Sequence, residues 1–380
     1  MKKHLIIALL LSNIVLASTN YVNLLSTNPA FPYTSWETAA KNIQTAINAA
    51  DKGNMVLVTN GTYYHSSKLI ITNEIVLKSF NGLGTTIIDG SNSHQCCCLK
   101  ANNTITGFVI TNGFSLNNSG GYIENGAGVH LSGGGIVSNC LIVGNTIDGM
   151  YGTGGGVYNS GGLVIDCEIR NNVSDMHGAG VFVSDGTIER CIIHHNVDTF
   201  YSGGGIDAWN SSVIMSCLIY SNSSYNGGGI RLESNSKIYN CTIVDNSASN
   251  QGGGIYSDMG GNAEIFNSII YNNNSQNYQT PGGSTFVFSY CCTIPKPVNN
   301  GNIDNDPQFV SAFDFHLKST SPCKDSGTNI FYVYTSKDLD GNNRLRGAKV
   351  DMGAYEAIPE PAVIFTFIYF VLFLKTKMVD

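Results

Sequence analysis

Charge is scarce in this sequence. Lys, Arg, Asp and Glu make up 12% of 380 residues, about half the usual share of roughly 25%. The formal net charge is −7, and no basic stripe runs through the chain, so a nucleic-acid partner is not expected. A 3.6-residue period is also missing from the body of the chain, which with 43 glycines excludes a helical repeat. Disorder is excluded as well, because 42% hydrophobic residues leave enough apolar area for a core.

What the sequence does contain is one unit written over and over. Three small residues are followed by Val or Ile, then a variable stretch, then Ile-x-x-Cys-x-Ile-x-x-Asn. The triplets start at Gly126, Gly154, Gly178, Gly203, Gly227 and Gly252, a period of 24–28 residues. The β-branched residue after each is Val129, Val157, Val181, Ile206, Ile230 and Ile255. Further rows are Val137, Val164, Ile188, Ile214, Ile238 and Ile265; then Cys140, Cys167, Cys191, Cys217 and Cys241, closed by Ser268; then Ile142, Ile169, Ile193, Ile219, Ile243 and Ile270. The last is Asn145, Asn172, Asn196, Asn222, Asn246 and Asn273.

Each row has a physical reason. A strand of a few residues buries too little to stand alone, so coils stack at about 4.8 Å and bury like on like. Asn at a strand end can bond the backbone of its own turn and the Asn of the next coil. The glycines permit positive φ and close approach. The expected fold is therefore all-β: a right-handed parallel β-helix solenoid with an N-terminal capping helix and a hydrophobic C-terminal tail. Earlier strand-like runs, Met55–Val58, Leu69–Ile71, Ile75–Leu77 and Thr86–Ile88, extend the coils toward the N-terminus. Residues 103–112 repeat the unit loosely, with Gly107 in the Cys position. The capping helix is expected over Thr34–Ala50, with Thr34 and Glu37 as its capping box and Ala39, Ile43, Ala46, Ile47 and Ala50 on one face.

The ends read as targeting segments. Lys2 and Lys3 precede the apolar run Leu5–Leu11, and Val15-Leu16-Ala17 offers a small-residue cleavage site before Ser18. At the other end Pro359-Glu360-Pro361 precedes an apolar stretch, Ala362–Leu374, then Lys375 and Lys377. This end resembles the PEP-CTERM sorting tail. The resemblance implies processing by an exosortase-type system, membrane contact through the tail, and a body at the cell envelope, cell surface or matrix; an unprocessed hydrophobic anchor is the alternative. The expected organisation is a signal peptide (1–17), an N-terminal segment with the helix (18–54), the β-helix (55–290), a C-terminal module (291–357) and the tail (358–380).

The body is similar to the bacterial right-handed β-helix proteins of the pectate-lyase-like superfamily. The likeness rests on Trp36 to Ile47, Val56 to Val58 and Asn60 to Tyr63, and on the ordered series Asp306-Pro307-Gln308-Phe309, Asp314 to Leu317, Ser321-Pro322-Cys323, Asp338 to Gly341, Arg344 and Asp351 to Glu356. It implies a fold and an envelope location. Activity stays open, because the superfamily spans lyases, hydrolases, epimerases and non-catalytic adhesins.

Two candidate sites come from positions on the coils. One place past each core Ile stand Val143, Arg170, His194, Tyr220, Val244 and Tyr271, an outward row on which Arg170, His194 and Tyr220, with Glu168 beside Arg170, could bind a sugar chain; an ordinary solvated sheet face is the plainer reading. Asp148, Asp175 and Asp198 follow the Asn row by two or three residues and are candidate calcium ligands along one turn, against simple turn chemistry. No other cofactor is called for. The loop at Asp338 departs from an EF-hand, with Asn343 at its sixth position and Lys349 at its twelfth. His194 and His195 are strand neighbours and are expected to face opposite ways. Of the eleven cysteines, those in the row are expected as free, buried thiols, while Cys96–Cys98 and Cys291–Cys292 flank the coils, where exposed thiols can occur. The catalytic series of the polygalacturonases is not found, nor a lyase Asp/Arg set. Together these features favour a monomeric, non-catalytic surface or matrix protein that binds polysaccharide or another surface component, with a polysaccharide lyase or hydrolase as the alternative.

Overall fold

The computed structural model describes residues 17–116, 125–149, 151–258, 260, 262–298, 300–330 and 336–357. The expected signal peptide, residue 17 apart, and the expected sorting tail lie outside the described residues. Among those residues no helix is long and apolar enough to cross a membrane.

Four parallel sheets wind around one core. A complete coil runs through sheet I (Val129–Ser132), sheet II (Ile136–Ser138), sheet III (Leu141–Val143) and sheet IV (Thr146–Asp148) before the next coil begins at Val157. Among the described residues, sheets I to IV hold nine, eleven, ten and six strands. Every β-branched row of the sequence is a hydrogen-bonded column: Val129 pairs in turn with Val157, Val181, Ile206, Ile230 and Ile255. The columns from Val137 to Ile265 and from Ile142 to Ile270 are built the same way. Their side chains are fully buried and form one continuous apolar cluster.

The corners explain the polar residues between the strands. Between sheets II and III the chain turns at Asn139, Asp166, Arg190, Ser216, Asn240 and Asn267, all with φ between 47° and 56°. Between sheets III and IV it turns at Gly144, Asn171, His195, Ser221, Asp245 and Asn272, again left-handed. Asn, Asp and Gly reach this region at least cost, which is why they recur there. The Asn row follows the second corner and forms an unbroken ladder, buried from Asn145 to Asn246 and half-buried at Asn273. Asn172 Nδ2 donates to Asn196 Oδ1 at 3.0 Å, Asn196 Nδ2 to Asn222 Oδ1 at 2.9 Å and Asn222 Nδ2 to Asn246 Oδ1 at 3.0 Å. The middle glycine of a triplet is needed for closeness rather than for φ. A Cβ on Gly204 would lie 2.4 Å from the Ser223 carbonyl oxygen and 2.6 Å from that of Gly228.

Three expectations change here. The helix spans Ile43–Ala49, not Thr34–Ala50, and Asn42 is its cap, its Oδ1 accepting from the Gln44 and Thr45 amides. The residues before it are taken by sheet-like pairing: the Ala40 amide donates to the Tyr21 carbonyl at 2.9 Å and the Asn23 amide to the Ala40 carbonyl at 2.8 Å. Tertiary pairing with Thr19–Val22, the first strand of sheet II, thus overrides local helix preference. Ile43, Ala46 and Ile47 still join the main core at its N-terminal end. In the coil at residues 103–112, Phe108 rather than Gly107 holds the Cys position, because Val109 pairs with Leu141; Gly107 is the left-handed corner. Of the flanking cysteines, Cys96, Cys97, Cys291 and Cys292 are buried and Cys98 is half-buried.

After the last coil strands, Thr285–Ser289 and Cys292–Thr293, the chain turns back. Its C-terminal module carries an antiparallel hairpin (Phe309–Ser311 with Asp314–Leu317) and packs on the outer face of sheet III. Phe315, Ala354 and Tyr355 cover Leu218 and Val244, and Leu317, Cys323 and Met352 cover Ile269 and Cys292. Arg344, fully buried, is the polar tie: it donates to the carbonyls of Gly353, Ala354 and Asn240 and pairs with Glu356.

Candidate functional site

The outward row predicted from the sequence lies on sheet III. Arg170 pairs with Val143 and with His194, and His194 with Tyr220, one coil apart at each step. Glu168 leaves the same strand on the same side and holds the group together. Its Oε1 lies 2.8 Å from Arg170 Nε and 3.1 Å from His194 Nε2. The His194 ring stacks on Tyr220, with centroids 4.7 Å apart and planes 8° from parallel. Burial holds His194 below the ordinary imidazole range even though Glu168 pulls the other way. All four residues therefore come together, but the row is not open throughout. Tyr220 packs against Phe315, and Val244, the next residue of the row, is buried under the module.

The site is thus a shelf that ends at a wall. Glu168, Arg170 and His194 form its floor, half-buried, and Tyr220 marks the corner. The wall carries Phe315 and, beside it, His316, whose ring nitrogens are bonded to Asp314 and, at 2.9 Å, Asp340. The His316 ring lies 3.9 Å from that of Tyr355. The two carboxylates raise the imidazole above its usual range, against the effect of burial.

His194 and His195 do not face opposite ways. The strand ends at His194, and His195 occupies the left-handed corner at φ 54°, so the alternation breaks and the two Nδ1 atoms come within 2.7 Å.

The acidic row splits. Asp148 and Asp175 do meet: their hydrogen bond raises the Asp148 carboxyl above its usual range. Asp198 is out of step. It pairs with Ser174, which pairs with Ile147, so it stands in the inward column and is 3% exposed. The register decides this: a one-residue offset along a strand sends a side chain through to the other face. Among the described residues no group of three His, Cys, Asp or Glu side chains is placed to hold a metal ion.

Asp198 carries a testable consequence. Its Oδ1 accepts from the Tyr201 amide at 2.7 Å, its Oδ2 has no protein partner, and burial pushes the carboxyl up to about 8. A folded-state value above the unfolded one means stability present in full below about pH 4 and lost as pH rises through about 8. Urea unfolding of Asp198→Asn and the parent, compared from pH 4 to pH 9, is expected to show the variant gaining relative stability as pH rises. A difference independent of pH would contradict a buried, protonated carboxyl.

A second cluster, on sheet I, was not legible from the sequence as a unit. Its outward row is His130, Tyr158, Phe182, Asp207, Arg231 and Tyr256. Tyr158 and Phe182 stack in parallel at 5.2 Å. Arg231 is 1% exposed and meets three carboxylates: Asp207 at 3.3 Å, Glu233 at 2.5 Å and Asp258 at 3.2 Å. Asp207 also accepts from Trp209 Nε1 and bonds His177 Nδ1 at 2.8 Å. The Tyr201 and Trp209 rings close over the guanidinium. The signal was present at a fixed offset, since Asp207, Arg231 and Tyr256 each follow the β-branched residue after a glycine triplet.

The family model described as "Right handed beta helix region" matches residues 127–294. No curated protein matches the chain. Among solved structures, pectate lyase Pel9A aligns with a TM-score of 0.57 at 15% identity, over 90% of this chain and 98% of that one. A pectin methylesterase from Aspergillus niger aligns with a TM-score of 0.39 at 11% identity, over 74% of this chain and 92% of that one. At these identities the likeness concerns the fold alone: the chain folds as a right-handed parallel β-helix.

Proposed function

We propose that this chain is an exported, monomeric β-helix protein of the cell surface or matrix that binds polysaccharide or another surface component without transforming it. The observation that carries the reading is the shelf on sheet III, where Glu168, Arg170 and His194 stay accessible, are held in place by one another and run into the wall at Phe315. Fixed polar groups beside an aromatic corner suit a chain of sugar hydroxyls, because little side-chain freedom is left to lose on binding. The ends of the sequence supply the export reading, with an exosortase-type system and the membrane as partners of the tail.

Calorimetric titration with a panel of neutral and acidic polysaccharides tests it. The parent is expected to retain at least one polymer, and Arg170→Ala combined with His194→Ala is expected to weaken that binding at least tenfold. A parent that retains none, or a double variant that binds as the parent does, overturns the reading.

A catalytic reading, as a polysaccharide lyase or hydrolase, has one observation in its favour. The sheet I cluster gathers charged groups whose proton affinities are displaced: burial raises the Glu233 carboxyl and pushes the Tyr256 hydroxyl up to about 12. Release of reducing ends or unsaturated sugars from the same panel, abolished in Asp207→Asn, would establish it over the first.

A further inference from the structure

The cysteines fall into two geometries. Cys140, Cys167, Cys191, Cys217, Cys241 and Cys291 line one inner corner, all buried. Cys167, Cys191, Cys217 and Cys241 each donate to a carbonyl of the preceding coil, at 3.6 to 3.7 Å. Their side chains leave the same wall in parallel, and parallel Cβ vectors one strand spacing apart fit a disulfide poorly.

Cys292 differs. It directly follows an inward cysteine, and it pairs with Ile269, which faces outward next to the inward Ile270. Cys292 therefore points out from sheet III, under the C-terminal module. Cys323 comes down on it from that module, and the two share a small buried core with Ile269, Leu317 and Met352. Both are fully buried and their thiols are in contact, as neighbouring thiols of the inner column are too, so it is the direction of approach that sets this pair apart. Each is held by its own backbone: the Cys292 amide donates to the Ser268 carbonyl at 2.9 Å, and the Cys323 carbonyl accepts from the Met352 amide at 3.0 Å. A bridge needs Cα atoms within about 7 Å and Cβ vectors that converge, a condition that facing side chains meet more readily than parallel neighbours in one column.

We propose that Cys292 and Cys323 form a disulfide that fastens the C-terminal module to the last coil of the β-helix. Two S–H bonds break and one S–S bond forms; the two protons and two electrons pass to an oxidised glutathione or a disulfide oxidoreductase, which leaves as two thiols. The bond forms while the chain folds. Once the module has docked, the neighbouring thiol and burial raise Cys323 well above the ordinary thiol range, so thiolate attack is suppressed. An oxidising compartment, as the export reading supplies, is where such a bond persists. The chemistry itself does not depend on export.

The full chain refolded in a glutathione redox buffer is the test, with free thiols alkylated in denaturant and peptides mapped without reductant. The expected product carries one cross-link, Cys292 to Cys323, with the other nine of the eleven cysteines alkylated. Limited proteolysis is expected to release the module at least tenfold faster from the reduced protein than from the oxidised one. Full alkylation of both cysteines in folded protein, or a bridge within the inner column instead, overturns the proposal. Cys323→Ser is expected to lose the cross-link and to match the reduced parent in proteolysis. Because the cross-link is read on the parent chain, the outcome does not depend on the variant folding, and a failure of polysaccharide binding would not bear on it.

Discussion

Asn196→Ala is expected to cost about 3–5 kcal/mol of unfolding free energy, among the largest effects of any single truncation in the coils. Asn196 is fully buried. Its Oδ1 accepts from the Asn172 amide and from Asn172 Nδ2, both at 3.0 Å. Its Nδ2 donates to the Ile169 carbonyl at 3.0 Å and to Asn222 Oδ1. Truncation leaves the Asn172 amide without a partner, at about 1–3 kcal/mol for a buried group, takes one of its donors from the Ile169 carbonyl, and opens a void in the close-packed corner. A solenoid passes the damage along, because each coil is held by its two neighbours. Urea unfolding monitored by far-ultraviolet circular dichroism measures it. Asn250→Ala, at an exposed site bonded to Asn226 at 2.9 Å, serves as control and is expected to stay within about 0.5 kcal/mol. A midpoint for Asn196→Ala equal to that of the control would show that the ladder does not hold the coils together.

Arg344→Ala is expected to undock the C-terminal module. The guanidinium makes four bonds with no exposed surface, three to carbonyls and one to Glu356, at distances of 2.8 to 3.2 Å. One of the carbonyls belongs to Asn240, at a corner of the β-helix, so this residue ties the two parts directly. Its removal leaves Glu356 buried without a cation, and breaking a buried pair in this way costs about 3–5 kcal/mol. Burial is the main cause that already pushes the Glu356 carboxyl up to about 8, and Asp351 adds to it. Because that value lies above the unfolded one, the contribution of Glu356 to docking is present below about pH 4.5 and is lost as pH rises through about 8. The variant is therefore expected to expose Leu218 and Val244 most at high pH, read as dye binding and as proteolysis between the last coil and residue 306. Adding Glu356→Gln removes the unpaired charge and is expected to restore part of the docking. An Arg344→Ala protein as resistant to protease as the parent at pH 9 would overturn this account.

Both predictions bear on the shelf. Undocking the module removes the wall at Phe315 while leaving Glu168, Arg170 and His194 in place. Polysaccharide binding that survives Arg344→Ala would assign recognition to the floor alone.

The columns of Val, Ile, Cys and Asn could be read from the sequence because stacking repeats them at a constant interval, so residues one period apart along the chain are neighbours in space. The inward or outward sense of Arg170, His194 and Tyr220 followed from the same alternation. That alternation fails where the backbone leaves the strand: His195 sits at a left-handed corner, so it meets His194, and Asp198 falls one step from the turn and into the interior. The helix is shorter than expected because Ala40 pairs with Tyr21, a partner that local propensity does not contain.

By itself, then, the sequence determined the coil, its apolar column and its asparagine edge, since each depends on contacts that recur every 24–28 residues. The tertiary structure alone decided that the C-terminal module folds back over sheet III, that Tyr220 becomes a corner rather than an open rung, that Cys292 meets Cys323, and that Arg231 gathers three carboxylates. Those contacts join segments with no shared period, and their energy comes from shape and charge matched across the fold, which a repeat does not record.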